Sequence, residues 1–127
     1  MIIEIPVLCR SKKNSQQILI NSKTHRPFVA QSKLYKDFEK KCWAYLQPYS
    51  ALNISCPVNL KVTFIVPDKR QRDIVNLLNA IQDVLVKYHV LSDDNYNIVQ
   101  SLDGTRIKYQ KNVEKIIIEI TKIKEEN

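Results

Sequence analysis

Between Val58 and Val66 the chain changes polarity at almost every step. Val58, Leu60, Val62, Phe64 and Val66 are apolar, and Asn59, Lys61 and Thr63 stand between them. Period two is the signature of a strand with one face buried. Pro67, which has no N–H to give a ladder, stops it. The period then shifts to 3.6. Over about 74–88, Ile74, Leu77, Leu78, Ile81, Leu85 and Tyr88 fall on one helical face, and Asn76, Asn79, Asp83 and Lys87 on the other. A strand and a helix that each present one apolar face bury them against each other, so one sheet covered by helices is the natural architecture.

The flanking segments extend this frame. Residues 2–8 read as a strand with Ile3, Ile5 and Val7 on one face; Pro6 makes it an edge or an irregular end. Residues 9–30 are polar and basic, with room for a short hairpin that pairs Ile18 and Ile20 with Phe28 and Ala30. Ser32 is placed as an N-cap for a helix that Pro48 ends, with Leu34, Phe38, Cys42, Tyr45 and Leu46 inward and Lys33, Lys36, Lys40 and Lys41 outward. Residues 98–107 read as a strand interrupted at Asp103-Gly104. Residues 115–123 read as the last strand, with Ile116, Ile118 and Ile120 inward, and residues 124–127 as a frayed end. Consecutive strands near the end favour a hairpin. The expected class is α+β: a single mixed sheet of about four strands with two helices packed on one side, in one domain over 1–127.

The net charge of +7 is unevenly spread. Residues 10–41 hold nine Lys/Arg and two Asp/Glu, and the remainder sums to zero. One strongly basic segment points to a polyanion, nucleic acid before membrane, against the plainer reading of a solvated surface. No apolar run approaches the roughly 20 residues needed to span a bilayer, and MIIEIPVLCR lacks the basic lead of a signal peptide. A cytoplasmic location is expected. Cys9, Cys42 and Cys56 are odd in number and form no CxxC pair, so buried thiols are expected rather than zinc ligands.

Chemistry concentrates in PDKRQRDIVNLLNAIQDVLVKYHVLSDDNYN, residues 67–97. Asp73 stands where strand passes to helix, and Asp93 and Asp94 stand in the loop beyond that helix. Lys69, Arg70 and Arg72 precede the first acid. Carboxylates hold divalent cations, and guanidinium groups grip phosphates bidentately. If folding gathers Asp73, Asp93 and Asp94 into one pocket, they can carry a metal that polarises a phosphodiester and activates water. Plainer roles stay open: Asp93-Asp94 as a turn pair, Asp73 as a helix N-cap, Asp83 as a structural or dimer-contact residue, Trp43 and Tyr88 as core. His25 and His89 have no partner motif.

The same stretch resembles the core of the RusA family of Holliday junction resolvases: a basic run, Arg-Asp-x-Asp-Asn, a helix with an Asp before a Leu, and a loop ending in Asp-Asp. Arg72, Asp73, Asn76, Asp83, Leu85, Asp93 and Asp94 match, and SKKN with Asn14 is similar to the family's loop after its first strand. The resemblance implies a homodimeric, Mg2+-dependent endonuclease (Mn2+ as a substitute) that nicks four-way DNA junctions in recombination and repair. It implies Asp73, Asp93 and Asp94 as catalytic metal ligands, and Lys69, Arg70, Arg72, Asn79, Lys12, Lys13 and Asn14 as DNA contacts. Two positions depart from the pattern: Val75 stands where the family has a metal-binding Asp, and Asn79 where it has a Lys. The alternative reading is therefore a relative that binds branched DNA without cleaving it.

Overall fold

The computed structural model describes residues 1–12, 16–31 and 33–124. Lys13, Asn14, the proposed N-cap Ser32 and the tail 125–127 lie outside them. Strand β1 (Ile2–Ile5) is followed by β2 (Gln16–Ile20) and β3 (Pro27–Gln31), helix α1 (Lys33–Leu46), strand β4 (Val58–Val66), helix α2 (Ile74–Lys87), and strands β5 (Val99–Ser101), β6 (Arg106–Tyr109) and β7 (Lys115–Lys122). The alternating stretch is β4, and it lies inside the main sheet. β7 runs antiparallel along one side of it, and β5 and β6 run parallel in succession along the other; β1 closes the far side of β7. The fold is α+β with a mixed five-stranded sheet. Strands β2 and β3 form a separate two-stranded sheet.

The covered face of the sheet explains the sequence pattern. Val58, Leu60, Val62 and Phe64 of β4 and Ile116 and Ile118 of β7 are buried, and Asn59, Lys61, Ile117 and Glu119 between them are half-buried. The inward set packs with Leu77, Leu78, Ala80, Ile81, Val84 and Leu85 of α2 and with Tyr35, Phe38, Cys42 and Leu46 of α1 in one core. Cys9 and Cys42 are buried in it as free thiols, and burial pushes both thiols' pKa values up. Among the described residues no helix is long and apolar enough to cross a membrane.

Four expectations are corrected. The inward stripe of α1 starts at Tyr35, not Leu34: Leu34 and Tyr45 are exposed, because residues 35, 38, 42 and 46 share the face turned to the core. β1 ends at Ile5, where Val7 N–H turns back to the Ile5 carbonyl (2.8 Å). The last strands do not form a hairpin. β7 pairs with β1 and β4, so β4 lies between it and β6. The hairpin in the basic segment forms one step away from the expected register, with Ile18 opposite Val29 and Ile20 opposite Pro27.

The break between β5 and β6 is stitched by side chains. Asn59 Oδ1 accepts from Ser101 Oγ (2.6 Å) and from Asp103 N–H (2.9 Å), and Thr105 Oγ1 accepts from Val62 N–H (3.1 Å). These bonds stand in for ladder bonds the interruption removes. Gly104 turns there at φ +87°, and an added Cβ would meet Lys61 Cδ at 2.9 Å. The lysine side chain can move, so the cost of Gly104→Ala lies in the backbone. A loss of about 1–2 kcal/mol is expected, read as a lower denaturant midpoint; an unchanged midpoint would mean the turn relaxes into another conformation.

Candidate functional site

The connection from β4 to α2 is tightly built. Arg72 Nη1 donates to Asp68 Oδ1 (2.9 Å) and to the carbonyls of Asp68 (3.3 Å) and Arg70 (3.2 Å). The Arg72 side chain is 15% exposed, so its guanidinium is fixed in place. Arg70's backbone N–H and then Arg72's guanidinium hold Asp68 below the usual carboxylate range. Asp73 is the N-cap of α2: its Oδ1 accepts from Val75 N–H (2.9 Å) and Asn76 N–H (3.4 Å). The cap satisfies two of the orphan donors of the first turn. Its second oxygen has no partner among the described residues, so the cap and a ligand role are compatible.

Asp93 and Asp94 are exposed in the loop after α2. Asp93 Oδ1 accepts from Asp94 N–H (2.7 Å) and its Oδ2 from Asn95 Nδ2 (3.1 Å). Partial burial, then the neighbouring Asp93 carboxylate, then Asp83, raise the pKa of Asp94. The turn-pair geometry is thus real, and it sets the Asp94 carboxyl beside that of Asp93.

The structure does not gather the three acids. Asp73 begins α2 beyond the far end of β4. Asp93 and Asp94 follow the other end of α2, where Leu91 bridges Ile54 and Ser92 N–H reaches the Ile54 carbonyl (2.9 Å), just before β4 starts. A helix of 14 residues separates its ends by roughly 20 Å. Among the described residues no group of three or more His, Cys, Asp or Glu side chains could hold a metal. One chain therefore offers two stations, Asp73 beside Arg70 and Arg72, and the Asp93–Asp94 pair. Magnesium asks for one or two protein carboxylates plus water and phosphate. The pair supplies two carboxylates, and among the described residues of a single chain there is no three-carboxylate pocket.

The remaining candidates are placed as follows. Lys69 Nζ lies 5.2 Å from the Tyr109 ring centroid, a cation–π contact on the surface. Arg70 is largely exposed and Asn79 faces solvent. Lys12 Nζ is paired with Asp83 (2.9 Å) and stands 5.6 Å from the Tyr35 ring, which gives Asp83 a structural partner. Val75 is 59% exposed, so packing does not account for it. Trp43 and Tyr88 stack on each other, ring centroids 4.9 Å apart.

A polar cleft of about 320 Å³ opens at the start of α2, with Arg70, Arg72, Asp73 and Asn76 on one wall and Arg10 and Ser11 on the other. Arg10 and Ser11 were not among the candidate residues; Ser11 stood only as the first residue of SKKN, whose candidates were Lys12, Lys13 and Asn14. A larger groove, about 570 Å³, is lined by Met1, Leu52, Cys56, Ile120 and neighbours. It carries no carboxylate and holds none of these groups.

A model of the endodeoxyribonuclease RusA family matches residues 10–121 of the chain. The chain is also 30% identical over 78 residues to the crossover junction endodeoxyribonuclease RusA of Aquifex aeolicus (strain VF5). The matched part covers 61% of this chain and spans about 60% of the length of that relative.

Proposed function

Because the chain belongs to the RusA family of endodeoxyribonucleases, we propose that it is a structure-selective nuclease that nicks four-way DNA junctions as a homodimer, with Mg2+ or Mn2+ as cofactor. The observation that carries this reading is the placement of acids at the two ends of α2, with guanidinium groups at one of them. A two-fold dimer repeats each contact twice. If two copies align their α2 helices antiparallel, Asp73 of one chain faces the partner subunit's Asp93 and Asp94, and two equivalent sites form. The bound metal supplies charge neutralisation at the phosphate and an activated water. The chain's own residues do the rest. Asp94 and Asp73 contribute carboxylate oxygens, and Asp93, held by Asp94 N–H and Asn95, fixes the loop. Arg72, locked by Asp68, orients the strand.

The basic segment supplies the backbone contacts. Lys23 and Arg26 are exposed at the β2–β3 turn, and Lys33, Lys36, Lys40 and Lys41 are exposed along α1. Phosphate contacts of this kind make affinity fall steeply with salt. Binding to a four-way junction over linear duplex, lost at high salt, is the expected behaviour.

Val75 favours a second reading, binding without cleavage, because it puts an exposed valine where a carboxylate would aid the cation. The two readings part in a nicking assay. Val75→Asp is expected to raise Mg2+-dependent nicking by about tenfold, equivalent to ~1.4 kcal/mol of transition-state stabilisation. Wild-type nicking that Val75→Asp does not improve would show that the other acids suffice. Junction binding with no nicking by either protein would leave the binding-only reading.

A further inference from the structure

The cleft at the start of α2 has a wall that the paired acids do not use. It is formed where the chain leaves β1 and passes over the first turn of α2, bringing Arg10 and Ser11 opposite Arg70, Arg72 and Asn76. Three guanidinium groups and one carboxylate, Asp73, line it, so its own charge is positive; Asp68, just outside, is engaged by Arg72 and Arg70. Asp73 spends one oxygen capping Val75 and Asn76, which screens its charge against the positive end of the helix.

The donors in this cleft are not used up. Arg10 makes no ion pair among the described residues, although Asp37 and Glu114 line an adjoining hollow with it. Arg72 satisfies its three acceptors through Nη1 alone, which leaves Nε and Nη2 without partners among the described residues. Ser11 is 9% exposed, and its buried hydroxyl has no hydrogen-bond partner among the described residues. A buried hydroxyl without a partner is unfavourable, and folded proteins keep few of them. Such a hydroxyl beside Arg10 and the fixed guanidinium of Arg72 is the pattern of an anion site, because a donor held in place before binding, as Arg72 is, loses little entropy on binding.

We propose that this cleft holds one phosphate group of a bound DNA strand, gripped by Arg10 and Arg72 and completed by the Ser11 hydroxyl and the Asn76 amide. The inference rests on the nuclease reading for the source of the phosphate, and on the cleft alone for its chemistry. Its volume, about 320 Å³, has room for a phosphodiester, and its lining of guanidinium, hydroxyl and amide donors suits one. It sits against Asp73, so the phosphate it holds is a neighbour of the one that would be cut. Arg10 and Ser11 are thereby positioning residues that fix the strand's register.

Two measurements test it. In the first, inorganic phosphate is titrated into the isotopically labelled full chain, and backbone signals of Arg10, Ser11, Arg72 and Asn76 are followed by NMR; saturable shifts at these residues are expected. In the second, junction binding is measured against salt. Arg10→Gln is expected to weaken binding roughly tenfold and to lower the salt slope by about one. Ser11→Ala is expected to weaken binding roughly fivefold while leaving the melting temperature unchanged or higher, since it removes a hydroxyl without a partner. Unchanged binding and slope in both variants, with no phosphate shifts at these residues, would overturn the proposal. Phosphate shifts in a wild-type chain that binds no junction would uphold the cleft's chemistry, assign it to a small phosphate compound, and overturn the nuclease reading instead.

Discussion

Chains carrying Asp73→Asn and chains carrying Asp94→Asn, each silent alone, are expected to recover nicking when mixed and allowed to exchange subunits. Asn keeps an acceptor oxygen for the α2 cap, so Asp73→Asn removes charge without removing the cap. Each variant alone should lose about a hundredfold or more in rate, the scale of several kcal/mol of metal-borne charge stabilisation. In a mixed dimer whose sites draw Asp73 from one chain and Asp94 from the other, one site carries both substitutions and the other carries neither. Random exchange then restores about a quarter of wild-type sites, as expected for a two-fold assembly. Sites built within single chains would restore none, because every chain carries a lesion. Gel assays of nicked junction after mixing read the difference, and the Val75→Asp background serves if wild-type turnover is low. No recovery would overturn the shared site.

The second large effect concerns stability. Phe64 is 1% exposed on β4, opposite Ile116 of β7 and Ile107 of β6. Strands on both sides hold its backbone, so the core cannot close readily around a missing ring. Phe64→Ala is expected to cost about 3–5 kcal/mol, a large share of the roughly 5–15 kcal/mol that holds a domain folded. The check is a lower urea midpoint with an unchanged m value. A shift worth less than about 1 kcal/mol would mean that the ring is not part of a close-packed core.

The two elements with clean periodicity, β4 and α2, were legible in the sequence almost to the residue. Their patterns are local, and burial on one face enforces them. α1 was legible as a helix but not in its rotation. Leu34 and Tyr35 are adjacent and both apolar, and only contact with the core decides which turns in. Strand order was not legible. Ile98–Ile107 and Lys115–Ile123 look like hairpin partners, yet the parallel crossover through α2 lets β5 and β6 take one side of β4 and leaves the other to β7. Asp73, Asp93 and Asp94 stood out in the sequence through the family resemblance and, for Asp73, through the arginines that precede it. Their separation follows from the rise of α2, which fixes a distance that spacing in the chain does not reveal. Arg10 carried no pattern, and Ser11 only its place at the head of SKKN; the turn out of β1 brings them to α2.

The outer margins of the main sheet carry a consequence for how two copies can meet. On one margin β1 offers four residues before Pro6; on the other, β5 offers three and β6 four, with the Gly104 kink between them. Neither margin presents an unbroken ribbon of free amides and carbonyls on which a foreign strand could template. Self-recognition by zipping the main sheets of two chains together is therefore discouraged.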